Sequence, residues 1–297
     1  MHTTVLLKES VDGLNIRKGA TVVDGTLGGG GHVELMCENF GRNIKVIALD
    51  LDTDAIDRAR ARLAGLDCDI EYRESNFRDI DKVLGEMKVA KVDGILLDLG
   101  FSNDQLESSG RGISFRNDEP LLMTLKKSIS PNEFDAGDIV NSWQEEDIAN
   151  VIYGYGEERF ARRIAREIVE ARENTGDIKT THQLVKIIES AVPSAYKRGR
   201  IHPATKTFQA LRIAVNSELE NLRIVLDKGF EALRPGGRLA VISFHSLEDR
   251  IVKNFMRDRD REEVGRVLYK KPITPSPEEL KANPKSRSAK LRIIEKI

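Results

Sequence analysis

Four consecutive glycines, Gly28 to Gly31, separate an apolar run from an amphipathic segment and constrain the fold more than any other feature. The apolar run is Ala20 to Val23, and the amphipathic segment spans Val33 to Met36. Only glycine lets the backbone approach a ligand closely and adopt positive φ. The order of these segments predicts a strand that turns sharply into a helix around a bound ligand.

Residues on both sides of this turn indicate which class of ligand it binds. A buried strand is expected to end in Asp50, where an acid binds the ribose hydroxyls of a nucleoside in doubly wound folds. NAD and S-adenosylmethionine both carry that ribose, so Asp50 alone does not separate them. A dinucleotide fingerprint needs a third small residue, but Val33 or Glu34 stands there. The pattern from Asp24 to Gly30 matches acidic-x-Gly-x-Gly-x-Gly with threonine at the first glycine, which favours a methyltransferase over a dehydrogenase.

Two groups of residues have the ligand types of a metal site. Asp50, Asp52 and Asp54 imitate the start of a calcium loop, but the sixth and twelfth positions of that loop are both alanine, which excludes it. A second group, His245 with Glu248 and Asp249, offers ligand types but too few of them. Capping of a helix by Ser246 is the preferred explanation of the second group, and no metal is expected.

Apolar and helical segments alternate through the first hundred residues. Strands are predicted at 20–24, 45–49, 69–72 and 92–98, with helices near 31–40, 53–64 and 78–87. Such alternation predicts parallel βαβ units.

The alternation stops for about a hundred residues and then resumes. Residues 104–205 show helical patterns and no convincing strand, whereas a helix over 206–233 precedes a strand over 238–243 and a last strand at 291–294. We therefore expect an α/β, doubly wound, Rossmann-like methyltransferase sheet formed by residues 1–103 and 206–297. Residues 104–205 would be an inserted helical domain for substrate recognition.

Composition and charge predict the cellular location of the protein and limit the kinds of partner that it can bind. No apolar run approaches membrane-spanning length, so a cytoplasmic protein without a membrane partner is expected. Cys37 and Cys68 fit neither a disulfide framework nor a zinc spacing, and both are expected to be reduced packing residues. A net charge of −1 argues against a generally basic protein that coats nucleic acid, but it is compatible with a local basic groove.

Candidate catalytic residues follow the predicted strands. Asp98 ends the fourth strand, where an acid can accept a hydrogen bond from an amine whose lone pair is delocalised into a ring. Turn capping explains Asp98 nearly as well. Ser243 and His245 follow the fifth strand and are candidates for the wall of the site. Phe77, at a strand end, could stack on an adenine ring.

Basic residues are candidates for phosphate contacts. They comprise Arg111, Arg198, Arg200, Lys206 and Arg287 in the basic tail. The cysteines disfavour one chemistry, because methylation at carbon 5 of a pyrimidine needs a nucleophilic thiol and neither cysteine follows a strand. Direct transfer to nitrogen or oxygen is therefore expected.

With these residues assembled, the chain resembles the bacterial family of small-subunit (16S) ribosomal RNA (cytosine-N4)-methyltransferases, which act on a decoding-centre cytosine. The matching motifs are His2–Leu7, Asp24–Gly28, Gly30–His32, Asp98–Gly100, Gln105–Leu106, Arg111–Gly112, Ser114–Phe115, Tyr155–Arg159, His202–Thr205, Phe208–Ile213, Ser243–Arg250 and Asn283–Ala289. The resemblance implies S-adenosylmethionine as cofactor and 16S ribosomal RNA of the small subunit as partner. It also implies a cofactor site made by Gly30, Gly31, His32, Asp50, Phe77, Asp98 and Gln105.

The chain departs from this family at a few positions. Leu122 and Thr124 stand where the family has aspartate and arginine, Lys206 replaces an arginine, and Asn103 replaces a serine. These changes motivate an alternative, a ribosome-assembly factor that binds cofactor and RNA but barely catalyses. The oligomeric state, monomer or homodimer, is left open by the sequence.

Overall fold

The computed structural model describes residues 4–100, 110–126 and 133–297, which form two compact units. The first unit joins Met1–Ser102 to Leu219–Ile297, and we call it the sheet unit. The second is the continuous segment Asn103–Glu218, which we call the insertion. The expected boundary at residue 206 differs from this division by one helix.

The sheet unit alternates strands and helices as predicted over residues 20–98, but the helix Leu7–Gly13 and the strand Gly265–Val267 were not predicted from the sequence. Its strands are β1 (Thr21–Asp24), β2 (Lys45–Asp50), β3 (Asp69–Glu74), β4 (Val92–Asp98), β5 (Leu233–Ser243), β6 (Gly265–Val267) and β7 (Lys290–Lys296). Its helices are α1 (Leu7–Gly13), α2 (Gly31–Phe40), α3 (Thr53–Leu63), α4 (Ile80–Glu86), α11 (Glu218–Ala232, of which Glu218 belongs to the insertion), α12 (Ser246–Arg261) and α13 (Pro277–Ala282).

The strands form one sheet of order β3-β2-β1-β4-β5-β7-β6. The first five run parallel, while β7 is antiparallel to both β5 and β6. The strand order reverses between β1 and β4, and ligands of open α/β sheets bind outside the carboxyl ends of the strands at such a switch point. The glycine run lies directly after β1.

Both faces of the sheet are buried, which is why its strands are continuous apolar runs. Val22 and Leu96 belong to the core that also contains α1, α2 and α3 residues. Val23 and Leu97 belong to the opposite core with α4, α11 and α12. Helices cover both faces, so the expected doubly wound, Rossmann-like fold is confirmed.

The insertion is helical from residue 136 onward, whereas its described residues 110–126 form bends and irregular backbone, with one isolated bridge between Pro120 and Thr180. Its helices are α5 (Ala136–Ser142), α6 (Glu145–Gly156), α7 (Ala161–Thr175), α8 (Thr181–Ala191), α9 (Ser194–Lys197) and α10 (Ala204–Asn216). They pack around a core of their own, to which Leu121 and Met123 also contribute. Thr180 begins α8 with a capping box closed by Gln183.

Two sequence expectations differ from the structure in the fold. The single helix expected over 206–233 is two helices, because Ser217 has φ of +50° and ends α10. Cys37 and Cys68 are joined in a disulfide with Cα atoms 5.5 Å apart, so the expectation of reduced cysteines is wrong. The C-terminal half of α2 and the segment before β3 meet in the fold, which spacing along the chain does not show.

A membrane-crossing helix would need a long apolar run. Among the residues that the structure describes, no helix is long and apolar enough to cross a membrane.

Candidate active site at the carboxyl ends of the strands

The loop after β1 is fastened to the carboxyl ends of the strands on either side of it. The Gly25 amide donates to the Leu96 carbonyl on β4, and the Leu27 amide donates to the Leu49 carbonyl on β2, each at 2.9 Å. The Gly28 amide donates to Oδ2 of Asp50 at 2.8 Å. The loop therefore lies across the switch point, where a ligand would bind.

Two glycines of this loop cannot be replaced without disturbing it. Gly30 caps α2 with φ of +77°, a left-handed conformation that favours glycine. A Cβ on Gly31 would collide with the side chain of Thr4. The next residue, His32, is buried in the first turn of α2. The loop is thus a tight cradle that exposes backbone rather than side chains.

Asp50 closes the cradle from the end of β2. Its Oδ1 accepts from the Asp52 amide at 2.9 Å while its Oδ2 holds the Gly28 amide. Burial raises the pKa of Asp50, and these amide donors oppose that rise. Each oxygen keeps a second lone pair, so the carboxylate can also accept from the two hydroxyls of a ribose.

Phe77 lies beside the cradle at the end of β3. It starts a short 3₁₀ helix, Phe77–Asp79, and a Cβ placed on Gly25 would lie 3.3 Å from its Cβ. The ring also packs against the core under β4 and α4. An aromatic ring at this edge is suited to stack on a nucleobase.

A hydroxyl links two acids at the switch point. Oδ1 of Asp24, the last residue of β1, accepts from the Thr26 amide at 3.0 Å and lies 3.5 Å from the Thr26 hydroxyl. That hydroxyl in turn accepts from the Asp98 amide, at the end of β4, at 2.6 Å. Thr26 therefore joins the acid of the cofactor loop to the acid expected to orient an acceptor.

Both acids hold their protons more tightly than usual. Burial raises the pKa of Asp24 to about 7, with the charge of Asp50 adding to the rise and the Thr26 donors opposing it. Burial also raises the pKa of Asp98 to about 7, with the charges of Asp24 and Glu248 adding and the Gly100 amide opposing. Paired buried acids of this kind are typical of functional sites.

The residues after β5 have structural partners. The Ser243 hydroxyl donates to the Lys290 carbonyl of β7 at 3.4 Å. His245, rather than the expected Ser246, caps α12: its Nδ1 accepts from the Glu248 amide at 3.4 Å. Oε2 of Glu248 accepts from the amides of Phe244 and His245 and completes the capping box. Histidine is an unusual cap, so the sequence favoured the serine beside it.

Asp249, a candidate metal ligand by residue type, is held by two cations instead. Its Oδ1 accepts from Arg292 at 2.7 Å and its Oδ2 from Lys290 at 2.9 Å. Burial acts to raise the pKa of this carboxylate, but the two cations outweigh burial and hold it below the usual range. The carboxylate ties α12 to β7, which leaves it poorly placed to bind a metal.

The candidate phosphate-binding residues are only partly brought together. Arg200 and Lys206 line one cavity of about 450 Å³ in the insertion, together with Arg159 and Tyr196. Arg198 is exposed nearby in sequence, and the Arg111 guanidinium donates to the Leu125 carbonyl. Arg287 is exposed in the sheet unit, on the 3₁₀ helix Pro284–Ser288.

The cavity is braced by a buried acid. The Tyr196 hydroxyl donates to Oε2 of the fully buried Glu158 at 2.5 Å. Burial, with Glu158 beside it, raises the pKa of Tyr196 to about 12. The Arg159 guanidinium lies 5.0 Å from the centre of the Tyr196 ring. Neither Arg159 nor Tyr196 was predicted as a site residue from the sequence, although Arg159 lies in a motif that carries the family resemblance.

The predicted cofactor-binding residues are brought together where the structure describes them. The structure brings Gly30, Gly31, Asp50 and Asp98 to the carboxyl ends of adjacent strands. Gln105 lies outside the described residues. In the sequence Thr26 is only a departure from a glycine pattern, and nothing in its spacing indicates the bond to the Asp98 amide.

The sheet order with an antiparallel β7 and a glycine cradle at the switch point defines the Rossmann-like methyltransferase class, whose cofactor is S-adenosylmethionine. The chain matches the model of the MraW methylase family over residues 1–297 and belongs to that family. The family and the methyltransferase class expected from the sequence are thereby confirmed.

Relatives of known name match over nearly their whole length. The ribosomal RNA small subunit methyltransferase H of Brevibacillus brevis is 44% identical over 100% of this chain and 98% of its own. The protein of that name from Synechococcus elongatus is 48% identical over 100% and 95%. An rRNA methylase structure from Streptococcus thermophilus is similar with a TM-score of 0.43 and 13% identity, over 99% of this chain and 98% of its own.

The residues of the cradle fit S-adenosylmethionine. A Cβ on Gly28 or Gly29 would have its nearest neighbour at 3.9 Å, so the backbone of the loop is open to a ligand there. Asp50 suits ribose hydroxyls, Phe77 suits an adenine, and the buried acids Asp24 and Asp98 suit a ligand that carries positive charge. The donor set is that of a nucleoside site, without the third small residue that a pyrophosphate requires.

Proposed function

We propose that the protein methylates N4 of a cytidine in the decoding region of small-subunit (16S) ribosomal RNA, by direct in-line transfer from S-adenosylmethionine. The observation that carries the proposal is the buried carboxyl of Asp98 at the end of β4, next to the glycine cradle, where the Asp98 amide donates to the Thr26 hydroxyl beside Asp24. The names of the full-length relatives support ribosomal RNA as the substrate. Because that RNA is the proposed substrate, we also propose the cytoplasm as the place of action.

The cofactor supplies an electrophilic methyl group on sulfur, and the protein residues supply alignment. We propose that Gly30, Gly31 and His32 hold it from the loop, while Asp50 accepts from its ribose and Phe77 contacts its adenine. Gln105 is proposed as a further cofactor contact on the family resemblance. Alignment of two reactants can lower a barrier by about 7–11 kcal/mol.

A cytosine amine needs to be oriented because its lone pair is delocalised into the ring. In our proposal Asp98 accepts a hydrogen bond from the N4 amine and turns it toward the methyl group. Ser243 and His245 form the wall of the base pocket, since both already have structural partners after β5. Attack through a thiol is disfavoured, because both cysteines of the chain are consumed in one disulfide.

We propose that the cavity in the insertion contacts the RNA backbone. Arg159, Arg200 and Lys206 line it together, and Arg111, Arg198 and Arg287 are further candidates. Each phosphate neutralised by a cation contributes about one unit to the salt dependence of RNA affinity. Arg200→Gln and Lys206→Gln should therefore weaken binding of small-subunit RNA and each lower the slope against log salt by about 1.

The test of the function maps the methyl group itself. Small-subunit RNA from cells with and without the gene is digested and examined by mass spectrometry, and purified protein is then added to the unmodified subunit. We expect one gained methyl group, on N4 of one decoding-region cytidine. A methyl group on another base or atom would contradict the proposed specificity. Binding of RNA and cofactor with no methyl gain would indicate the assembly-factor alternative.

A further inference from the structure

Residues 4–6, near the N-terminus, lie against the glycine cradle and have no part in the proposed function. They are the described part of the motif His2–Leu7, and we call them the strap. A Cβ placed on Gly31 would collide with Oγ1 of Thr4 and lie 3.0 Å from the Thr4 Cβ. The Thr4 side chain therefore fills the space beside the Cα of Gly31, the first residue of α2.

The strap contains a bend that leucine rarely adopts. Leu6 has φ of +49° and ψ of +38°, in the left-handed region, and its side chain is fully buried. This conformation is costly for a bulky side chain, and it persists only where the surrounding structure fixes it. The bend therefore indicates that contacts of the strap determine its position.

A carboxylate from the C-terminal part of the chain fixes this bend. The Leu6 amide donates to Oε1 of Glu279 at 2.9 Å, and the Leu6 carbonyl accepts from the Ser10 amide at 2.9 Å. Glu279 lies in the first turn of α13, three residues after the capping Ser276, where a glutamate commonly folds back on its own helix. Here it bonds instead to a residue 273 positions earlier. The bond anchors the strap to α13.

The cradle is also in contact with α3. A Cβ on Gly30 would lie 3.2 Å from the Ala59 Cβ and 3.3 Å from Cδ1 of Leu63. Gly30 thus packs on α3, whereas Gly31 packs on the strap. Because neither glycine has a side chain of its own to restrict the backbone, these neighbours decide which conformation the loop keeps.

We propose that Thr4, Leu6 and Glu279 are positioning residues for the cofactor. Thr4 packs on Gly31, and the Glu279 carboxylate holds Leu6 in the bend that keeps Thr4 in place. The inference rests on the proposed role of Gly30 and Gly31 in holding S-adenosylmethionine. A loop that keeps its binding conformation in only about one molecule of ten binds its ligand about tenfold more weakly.

The main test is titration calorimetry of the full chain with S-adenosylhomocysteine, which needs no RNA. Glu279→Ala should weaken binding about tenfold, because the Leu6 amide loses its acceptor and the strap is released. Glu279→Gln keeps an oxygen acceptor and should bind within about threefold of the wild type. Glu278→Ala is the matched control, because Glu278 is the exposed neighbour on α13 and interacts with Ser276.

The strap should affect capture of the cofactor and not the transfer step. A bound cofactor itself holds the loop, so the anchor matters before binding. In methylation assays Glu279→Ala should raise the KM for S-adenosylmethionine about tenfold and leave kcat within about twofold. A variant that merely lost folded protein would instead lower kcat at an unchanged KM.

A size exchange between Thr4 and Gly31 tests the contact itself. Gly31→Ala drives a Cβ into the Thr4 hydroxyl and should weaken S-adenosylhomocysteine binding about tenfold or more. Adding Thr4→Ala removes the hydroxyl, leaves only the 3.0 Å approach to the Thr4 Cβ, and should recover most of the loss. Such coupling is expected of residues in contact and not of distant ones.

Urea unfolding shows which variants are folded, and the size exchange decides the question if Glu279→Ala is not. Wild-type affinity in Glu279→Ala, equal losses in Glu279→Ala and Glu278→Ala, or no recovery in the double variant would overturn the inference and leave the proposed function intact. Failure of the wild type to bind S-adenosylhomocysteine would overturn both.

Discussion

Asp98 is placed by its neighbours rather than by its own side-chain bonds. Its amide donates to Thr26, the next amide donates to the Ile242 carbonyl of β5, and the ring of Phe244 packs over Gly100. The backbone at the end of β4 is therefore held on both sides. A carboxyl held in this way can orient an amine without moving during the reaction.

Replacing Asp98 tests whether its carboxyl orients the acceptor amine or only supports the fold. Asp98→Ala should lower the rate of methyl transfer at saturating cofactor about 10²–10³-fold, the usual cost of one preorganised hydrogen bond to a reacting group. Methylation of small-subunit RNA and calorimetric cofactor binding are measured together, with Asp93→Asn as control. Methylation at the wild-type rate in Asp98→Ala would remove the orienting role.

The raised pKa values also predict how the ligand-free protein responds to pH. In the folded chain Asp24 and Asp98 keep their protons up to about pH 7, whereas unfolded aspartates lose them near pH 4. The native state therefore binds more protons in this window, and its free energy of unfolding should fall as pH rises through it.

Thermal unfolding of Asp24→Asn at about pH 5, 6 and 7 should show a shallower decline than that of the wild type, because one of the two groups no longer titrates. Asp93→Asn is again the control. Parallel curves for wild type and Asp24→Asn would contradict the raised pKa.

At the scale of elements, the capping of α12 decides what His245 does. The imidazole Nδ1 faces the Glu248 amide, and its Nε2 lies 3.2 Å from Oε1 of the same glutamate. Nδ1 is used by the cap, whereas Nε2 is buried and has no hydrogen-bond partner among the described residues. A side chain used in this way stabilises the wall of the site.

His245→Ala should lower the free energy of unfolding by about 1 kcal/mol, the common cost of a lost cap. His245→Asn should recover most of it, because asparagine is a strong cap. Urea unfolding measures both variants, and methylation is assayed in parallel. An activity loss above about tenfold in His245→Asn, with stability retained, would instead assign the imidazole to the chemistry.

The elements that the sequence predicted are those with a local signature. β1, β2 and β4 are buried on both faces and appear as apolar runs, and the glycine cradle marks the turn after β1. β6 has three residues with Arg266 exposed at its centre, so it has no such run. The break at Ser217 separates two helical patterns that look continuous, because a serine with positive φ leaves no composition signal.

The residues of the site likewise divide into those with a local sequence signal and those without one. Asp50 and Asp98 follow strands and are visible from position alone. The role of Thr26 depends on a contact between β1 and β4, and the cavity residue Arg159 depends on how the helices of the insertion pack. Pairing across distant segments has no local signature, which is why these residues were missed.

At the scale of the whole molecule, the unusual segment of the insertion belongs to its core. Leu121 and Met123 are buried, and Thr124 is 7% exposed with its hydroxyl accepting from the Lys126 amide. The chain thus has apolar or small residues in a packed segment where the family has an acid and an arginine at 122 and 124. This packing explains Thr124, whereas nothing in the structure explains Leu122, which is only half-buried.

The disulfide should contribute measurably to the stability of the sheet unit. Cys37 and Cys68 close a loop with a sequence separation of 31 residues. Cross-linking a loop of this size stabilises by about 3–4 kcal/mol through the unfolded state. Urea unfolding with and without dithiothreitol should show this loss in the wild type. Cys37→Ala with Cys68→Ala should not respond to reductant, and equal midpoints for the wild type in both conditions would contradict the prediction.

The place of β7 in the sheet has a consequence for synthesis. β7 pairs with both β5 and β6, and Glu279, shortly before it, accepts from the Leu6 amide near the start of α1. The sheet is therefore complete only after residues 290–296 have left the ribosome. The insertion is one uninterrupted stretch of chain, and it emerges earlier. Nascent chains mature as units in the order of translation. In nascent chains that end before residue 290, the helical insertion should already be protease-resistant, whereas the sheet, which still lacks β7, should be cleaved.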